Sequence, residues 1–245
     1  MDKPNLVIIN GWASPIILWN NLISLLSNNY SINIIDLNRV SNHCDYKSYI
    51  KSFIENKNLN NITIVGWSLG AICLLDSYNL IKERLSNIIL ISPTLKFTLN
   101  KEIGYHYGWD DRVLRLMKRR LSTDESETLN EFFLKVFSYN EKCFMKEFFK
   151  KYKNNDYNVT ALSSGLNYLR IADIRNANKI NTNTLIIHGL EDEICPYDAG
   201  METLKILNNS SVLSISGCGH APFYTNPNLC YKFILQKTKG DKNDR

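Results

Sequence analysis

None of the six cysteines in this 245-residue chain (44, 73, 143, 195, 218 and 230) forms a Cys-x-x-Cys pair. That spacing removes the usual thiol-metal and dithiol signatures and points to reduced, unpaired thiols, with no metal site and no cofactor expected. The chain has no run of 18 or more apolar residues, so no membrane-crossing helix is expected. Met1-Asp2-Lys3-Pro4 leads straight into strand-like residues, without a charged n-region, an apolar h-region or a cleavage site. A soluble, cytoplasmic monomer with no membrane partner is the expectation. Internal repeats, a disordered block and a recognition-helix or aromatic-platform pattern are also lacking. A net charge of +5 over a chain this long is modest for backbone binding, so nucleic acid is not an expected partner.

What is present is an ordinary globular composition, 44% hydrophobic and 11% aromatic. The length suits one α/β domain with an insertion and a substantial core. Strand-like runs near 5–10, 31–36, 61–66, 87–92, 184–188 and 211–216 alternate with helix-like runs near 15–27, 45–57, 69–82, 198–208 and 226–237. Such alternation predicts a mostly parallel sheet covered on both faces. The polar tail from Lys237 to Arg245 reads as frayed.

The most informative short stretch is Gly66-Trp67-Ser68-Leu69-Gly70, after the β-branched run Asn61-Ile62-Thr63-Ile64-Val65 and before a helical one. A sharp strand-to-helix turn leaves no room for side chains beside its serine, which is why glycine is wanted two residues to either side. Ser68 is the candidate nucleophile, and the Leu69 N–H, opening the helix, is a candidate oxyanion donor. By itself the pentapeptide also fits an ordinary tight turn.

A serine needs a base, and the base needs an orienting acid. Gly217-Cys218-Gly219-His220-Ala221-Pro222-Phe223 follows the last strand-like run and supplies His220 as candidate base. Leu190-Glu191-Asp192-Glu193-Ile194-Cys195-Pro196 follows the preceding one and supplies Asp192 as candidate acid, with Glu191 and Glu193 read as solvating the loop. His188, inside a strand-like run, reads as a core histidine. The order Ser, Asp, His differs from the two common protease orders. Leu6 to Ile9 with Asn10-Gly11-Trp12-Ala13 places the Trp12 N–H as second oxyanion donor, though its side chain also fits an aromatic plug over the core. Trp12, Ser68, Asp192 and His220 all lie just past strand ends, where ligands of open α/β sheets bind. Trp67, Phe137 and Phe223 are candidates for an acyl channel or for plain core.

The stretch 96–170 breaks the alternation and reads as a helical cap inserted in a core of residues 1–95 and 171–245. In Asp110 to Leu121, residues Val113, Leu114, Leu116, Met117 and Leu121 share one arc and Arg112, Arg115 and Arg119 another. Ser122-Thr123-Asp124-Glu125 has the form of a capping box for the next helix, which would bury Phe132, Phe133, Val136 and Phe137. A third helix, about Glu141 to Lys153, sets Lys142, Lys146, Lys150 and Lys153 against Phe144, Met145, Phe148 and Tyr152. Residues 96–170 carry 14 Lys and Arg against 10 Asp and Glu, or +4 of the chain's +5. Lys and Arg suit any outer helix face; the sharper reading is a surface that steers an acidic partner over the site.

With these residues in view, the chain resembles the pimeloyl-acyl-carrier-protein methyl ester esterases of biotin synthesis, the BioH type, within the α/β-hydrolases. The likeness is carried by Asn10-Gly11-Trp12, Gly66 to Gly70, Gly165-Leu166-Asn167-Tyr168-Leu169 with Asp173-Ile174-Arg175, Asp192 to Pro196, and Gly219-His220-Ala221-Pro222-Phe223 with Asn226-Pro227. It implies an α/β-hydrolase fold, cleavage of a carrier-bound methyl ester, and a cap whose cations hold the acidic carrier; Arg112, Arg115, Arg119, Lys142 and Lys146 are the candidates here. Two departures touch the oxyanion loop and the pocket wall. The usual His-Gly-Trp-Gly is Asn10-Gly11-Trp12-Ala13, and Leu37-Asn38-Arg39-Val40-Ser41 lacks the Pro-Gly-x-Gly-x-Ser of many relatives. The same triad would also serve a generalist short-acyl carboxylesterase or a lyase or carbon-carbon hydrolase, and the fold would serve a binding protein that does not turn over.

Overall fold

The computed structural model describes residues 3–151 and 158–239. Six strands, β1 (Asn5–Ile9), β2 (Ser31–Ile35), β3 (Ile62–Trp67), β4 (Leu85–Ile91), β5 (Asn183–Gly189) and β6 (Ser210–Ile215), form one sheet in the order β2-β1-β3-β4-β5-β6. Every pairing is parallel. The central strands are near-continuous apolar runs because both of their faces are covered. Leu6 to Ile9, Ile88 to Ile91 and Leu185 to Ile187 are all buried.

Ten α-helices accompany the sheet among the described residues: α1 (Asn20–Leu26), α2 (Tyr46–Asn56), α3 (Leu69–Ile81), α4 (Asp111–Arg120), α5 (Glu125–Val136), α6 (Lys142–Lys151), α7 (Val159–Ile171), α8 (Tyr197–Met201), α9 (Pro222–Thr225) and α10 (Pro227–Lys239). The first crossover steps one way along the sheet and the next two the other way, so right-handed connections put α1 opposite α2 and α3. Accordingly α1 packs with α10, and α2 with α3. The reversal falls between β1 and β3, the switch point at which such sheets open a crevice.

The strand expectations agree with the sheet within one to two residues, whereas several helices are finer-grained than their periodicity. The 15–27 run is a 3₁₀ turn, Ile16–Trp19, followed by α1. The 198–208 run splits into α8 and a 3₁₀ segment, Glu202–Ile206. The run predicted at 226–237 is α10, which extends to Lys239, so the first part of the expected frayed tail is helical. Residues 240–245 of that tail lie outside the described residues, as do Tyr152 and Lys153 of the third insertion helix.

The stretch between β4 and β5 holds α4 to α7 and no strand of the sheet. It leaves and returns side by side, with a Lys96–Asp173 bridge and an Ile174 N–H bond to the Leu95 carbonyl at 2.9 Å. The capping box expected at Ser122 to Glu125 is not the one used. Ser122 and Thr123 finish the α4 turn by donating to the Arg119 and Arg120 carbonyls, and Asp124 caps α5 by accepting from Glu127 N at 3.2 Å. The apolar arc of α4 is divided too: Leu114 and Leu121 are buried, but Val113 and Leu116 are exposed, because the arc is wider than the surface it packs on. Phe132, Phe133, Val136 and Phe137 are buried as expected, as is Phe148 of α6. Among the described residues no helix is long and apolar enough to cross a membrane.

Candidate active site

Ser68 stands between β3 and α3 with φ 53° and ψ −115°, a strained conformation for a residue with a side chain. Its N–H is bonded to the Ile91 carbonyl at 3.0 Å, which ties the turn to the end of β4. The start of α3 is pressed so close to β1 that a Cβ at Gly70 would lie 2.2 Å from the Ile9 carbonyl oxygen, so only glycine fits. Leu69 is the first residue of α3, and the first N–H groups of a helix have no partner within it.

Asp192 and His220 meet. His220 Nδ1 lies 2.7 Å from Asp192 Oδ2, and since a carboxylate can only accept, the Nδ1–H donates. Both residues are buried, as is Ser68, while Glu191 and Glu193 are exposed as the loop's solvating charges. Asp192 Oδ1 accepts from the N–H groups of Ile194 and Cys195, each at 2.9 Å. Burial raises the carboxyl pKa, but the electrostatic interaction with His220 and hydrogen bonds from His188 and His220 outweigh it and hold the group well below the usual carboxylate range.

His220 itself is anchored over the ends of β3 and β4: its carbonyl accepts from Trp67 Nε1 at 2.8 Å and from Ser92 Oγ at 3.1 Å. Its Nε2 is buried and carries no hydrogen bond. Burial pushes the thiol pKa of Cys195 far up. The acid and base loops are stitched to each other as well, through Glu191 N–H to the Cys218 carbonyl at 3.0 Å.

His188, expected in the core, is fully buried. It is also more than filler. Its Nε2 donates to the Cys195 carbonyl at 2.8 Å and lies 3.3 Å from Asp192 Oδ2, so a second imidazole flanks the acid. Its spacing of four residues before Asp192 was the available signal.

The oxyanion-loop candidate Trp12 is buried beneath α7. Its indole N–H donates to the Leu162 carbonyl at 2.8 Å. Helix α7 is in turn held to the core by Tyr168, whose hydroxyl donates to Asp76 Oδ2 at 2.9 Å. The loop backbone is braced by Asn38, which lies in the stretch that departs from the family pattern. Asn38 Oδ1 accepts from Ala13 N–H at 2.8 Å, and its Nδ2 donates to the Gly11 carbonyl at 3.1 Å and to Asp36 Oδ1 at 3.0 Å. The amide at Asn10, in place of the usual His, is fully buried and makes no hydrogen bond, so the loop is held by main chain and by Asn38 rather than by the side chain at 10.

Trp67, Phe137 and Phe223 are all buried; Trp67 and Phe223 pack edge to face at 4.8 Å beside Trp19. Of the basic residues, Arg112, Arg115, Lys118, Arg119 and Arg170 line, with Ser122, one open cavity of about 860 Å³. Arg112 pairs with Asp110 at 2.7 Å, and Arg115 and Arg170 both pair with Asp111, at 2.8 and 2.6 Å. Lys142 sits over the Tyr139 ring at 3.6 Å. Arg119 and Lys146 have no ion-pair partner among the described residues.

A strained serine at a helix start, an imidazole with one nitrogen free, and a buried carboxylate on the other nitrogen, all at the carboxyl edge of a parallel sheet, define a hydrolase of the α/β class. The family described as alpha/beta hydrolase fold matches residues 4–227. The chain is 31% identical over 243 residues to a pimeloyl-[acyl-carrier protein] methyl ester esterase from Wigglesworthia glossinidia brevipalpis, covering 94% of this chain and 92% of that protein. It is 26% identical over 234 residues to the protein of the same name from Nitrosomonas europaea, with 92% of each covered. An esterase from Exiguobacterium antarcticum has the same fold, with a TM-score of 0.83 at 19% identity over 98% of this chain and 94% of that one. The chain therefore belongs to the α/β-hydrolase family and, within it, to the group of pimeloyl-[acyl-carrier protein] methyl ester esterases; it is a carboxylic ester hydrolase.

Proposed function

We propose that the chain hydrolyses the methyl ester of pimeloyl-acyl-carrier protein in biotin synthesis, by two-step acyl transfer through Ser68, His220 and Asp192. The observation that carries this reading is the buried 2.7 Å contact between His220 Nδ1 and Asp192, which leaves the opposite nitrogen without a hydrogen bond. In acylation the Ser68 hydroxyl gives up its proton to His220 Nε2 and attacks the ester carbonyl. Asp192 stabilises the imidazolium that forms, and the Trp12 and Leu69 N–H groups hold the oxyanion. Methanol leaves with the proton from Nε2. Water, deprotonated by the same nitrogen, then releases the free carboxylate and restores the serine. Each oxyanion donor is worth about 3 to 4 kcal/mol of transition-state stabilisation.

In this reading residues 96–170 form a cap, and its cavity of arginines and Lys118 receives the acidic carrier or its phosphate. Arg112 and Arg115 reach the carrier by exchanging Asp110 and Asp111 for its anionic groups, while Arg119 and Lys146 are available without exchange. The test is rescue of a biotin auxotroph lacking its esterase, paired with methanol release from pimeloyl-acyl-carrier protein methyl ester by the purified enzyme. Wild type should rescue and turn over, and Ser68→Ala should do neither. A well-expressed wild type that hydrolyses small artificial esters but neither rescues nor cleaves the carrier-bound substrate would make it a generalist carboxylesterase. Stoichiometric labelling of Ser68 by a fluorophosphonate separates both from a protein that binds without turnover.

A further inference from the structure

We propose that Glu141 is a positioning residue for the base, its buried carboxylate fixing the loop that carries His220. The inference rests on the reading of His220 as general base. Glu141 lies in the corner between α5 and α6, far in sequence from the acid and base loops, and is only 4% exposed. Its Oε2 accepts from Gly219 N–H at 2.8 Å, one residue before His220, and from Ser138 N–H at 2.9 Å. The same corner makes two further bonds to the loop. His220 N–H donates to the Val136 carbonyl at 2.8 Å, and Ser138 Oγ donates to the Gly217 carbonyl at 2.7 Å. The approach is so close that a Cβ at Gly219 would lie 2.6 Å from the Val136 carbonyl oxygen.

A helix-start role for Glu141 explains its bond to Ser138, because carboxylates commonly satisfy free N–H groups there. It does not explain the bond to Gly219, which belongs to another element, or why a charged group is buried to make it. Three backbone groups of this loop, the Gly217 carbonyl and the Gly219 and His220 amides, are tied to one corner, so the imidazole's approach to Ser68 is set from the inserted helices. Sheet strands position the nucleophile; this corner positions the base. A positioning fault of about 1 Å at a reacting group typically lowers rate by about 10²-fold without weakening ground-state binding.

The experiment compares Glu141→Ala, Glu141→Gln and His220→Ala in the full chain, by steady-state hydrolysis of p-nitrophenyl butyrate with near-ultraviolet circular dichroism as the check on folding. Glu141→Ala should lower kcat by about 10- to 100-fold with KM within about threefold. Glu141→Gln keeps one oxygen able to accept both N–H groups and should recover kcat to within about threefold of wild type. Should Glu141→Ala not fold, Glu141→Asp, one methylene too short to reach Gly219, replaces it with the same expected loss. A kcat within twofold of wild type for a folded Glu141→Ala or Glu141→Asp overturns the proposal, and so does a Glu141→Gln as impaired as the truncation. Wild-type kcat in His220→Ala would instead sink the base assignment itself, and the proposal with it.

Discussion

Replacing Asn38 by Ala tests whether the oxyanion loop is braced from the end of β2. The change removes the partners of two backbone groups on either side of Trp12, the Gly11 carbonyl and the Ala13 N–H, and Asn38 is 8% exposed, so little water reaches them. If the loop stayed in place, each orphaned group would cost about 1 to 3 kcal/mol. Loss of at least 2 kcal/mol corresponds to a fall in melting temperature of roughly 4 to 8 °C for a chain of this size. If the loop relaxed instead to find water, the Trp12 N–H would leave the oxyanion position proposed for it, and kcat would drop toward the 10²- to 10³-fold loss of a missing donor. The two costs trade against each other, so the expected outcome is a kcat lower by about 10- to 100-fold together with a modest fall in melting temperature. Because the donor works on the transition state, KM should stay within about threefold. Asn38→Asp should be worse than Asn38→Ala: it keeps an acceptor for Ala13 but turns a carboxylate toward the Gly11 carbonyl and the neighbouring Asp36. Steady-state kinetics on p-nitrophenyl butyrate, thermal unfolding, and affinity for a boronic-acid transition-state analogue read all three quantities. Wild-type kcat and melting temperature in Asn38→Ala would refute the reasoning, as would a loss confined to KM.

Thiol labelling separates the cysteines by burial. Cys44 and Cys143 are exposed and should react quickly with Ellman's reagent at pH 8, whereas Cys73, Cys195, Cys218 and Cys230 should react only on unfolding, since burial raises all four thiol pKa values, that of Cys230 to about 12; four or more fast thiols in the native enzyme would contradict this. Asp192 has a folded-state pKa held below its unfolded value near 4, so its contribution to stability is fully present above about pH 4 and disappears as the pH falls further. The acid limb of kcat/KM should accordingly show no ionisation near 4 from this group, and a limb there that vanished in Asp192→Asn would show the carboxyl to be unperturbed. Trp12→Phe removes the indole bond to Leu162 and should lower kcat by about three- to tenfold with the fold intact; an unchanged kcat would show that α7 does not hold the loop.

The chain's own alternation of β-branched and amphipathic runs was enough to locate all six strands, because strands buried on both faces must be apolar along their length and so leave a local mark. The serine turn was equally legible. Its glycines at 66 and 70 are demanded by a close approach that no other residue permits, and the loops carrying Asp192 and His220 announced themselves by following strands. Other features depended on packing between distant parts of the chain. The apolar arc of α4 did not say that Val113 and Leu116 would remain uncovered, nor did Ser122 to Glu125 say which residue would cap α5, since both depend on where the preceding helix stops and what lies across from it.

The side chains that hold the machinery in place were illegible for the same reason. Asn38 and His188 have no motif of their own and Glu141 shows only the local capping box with Ser138; each acquires its further role by meeting atoms of another element. By itself the sequence determined the sheet, the chain order of Ser68, Asp192 and His220 and their places just past strand ends, because propensity, pattern and turn geometry act over short stretches of chain. The tertiary structure alone decided how those groups are aimed. A buried carboxylate or amide is stable only where donors and acceptors from remote segments satisfy it, and their positions are set by packing rather than by neighbouring residues.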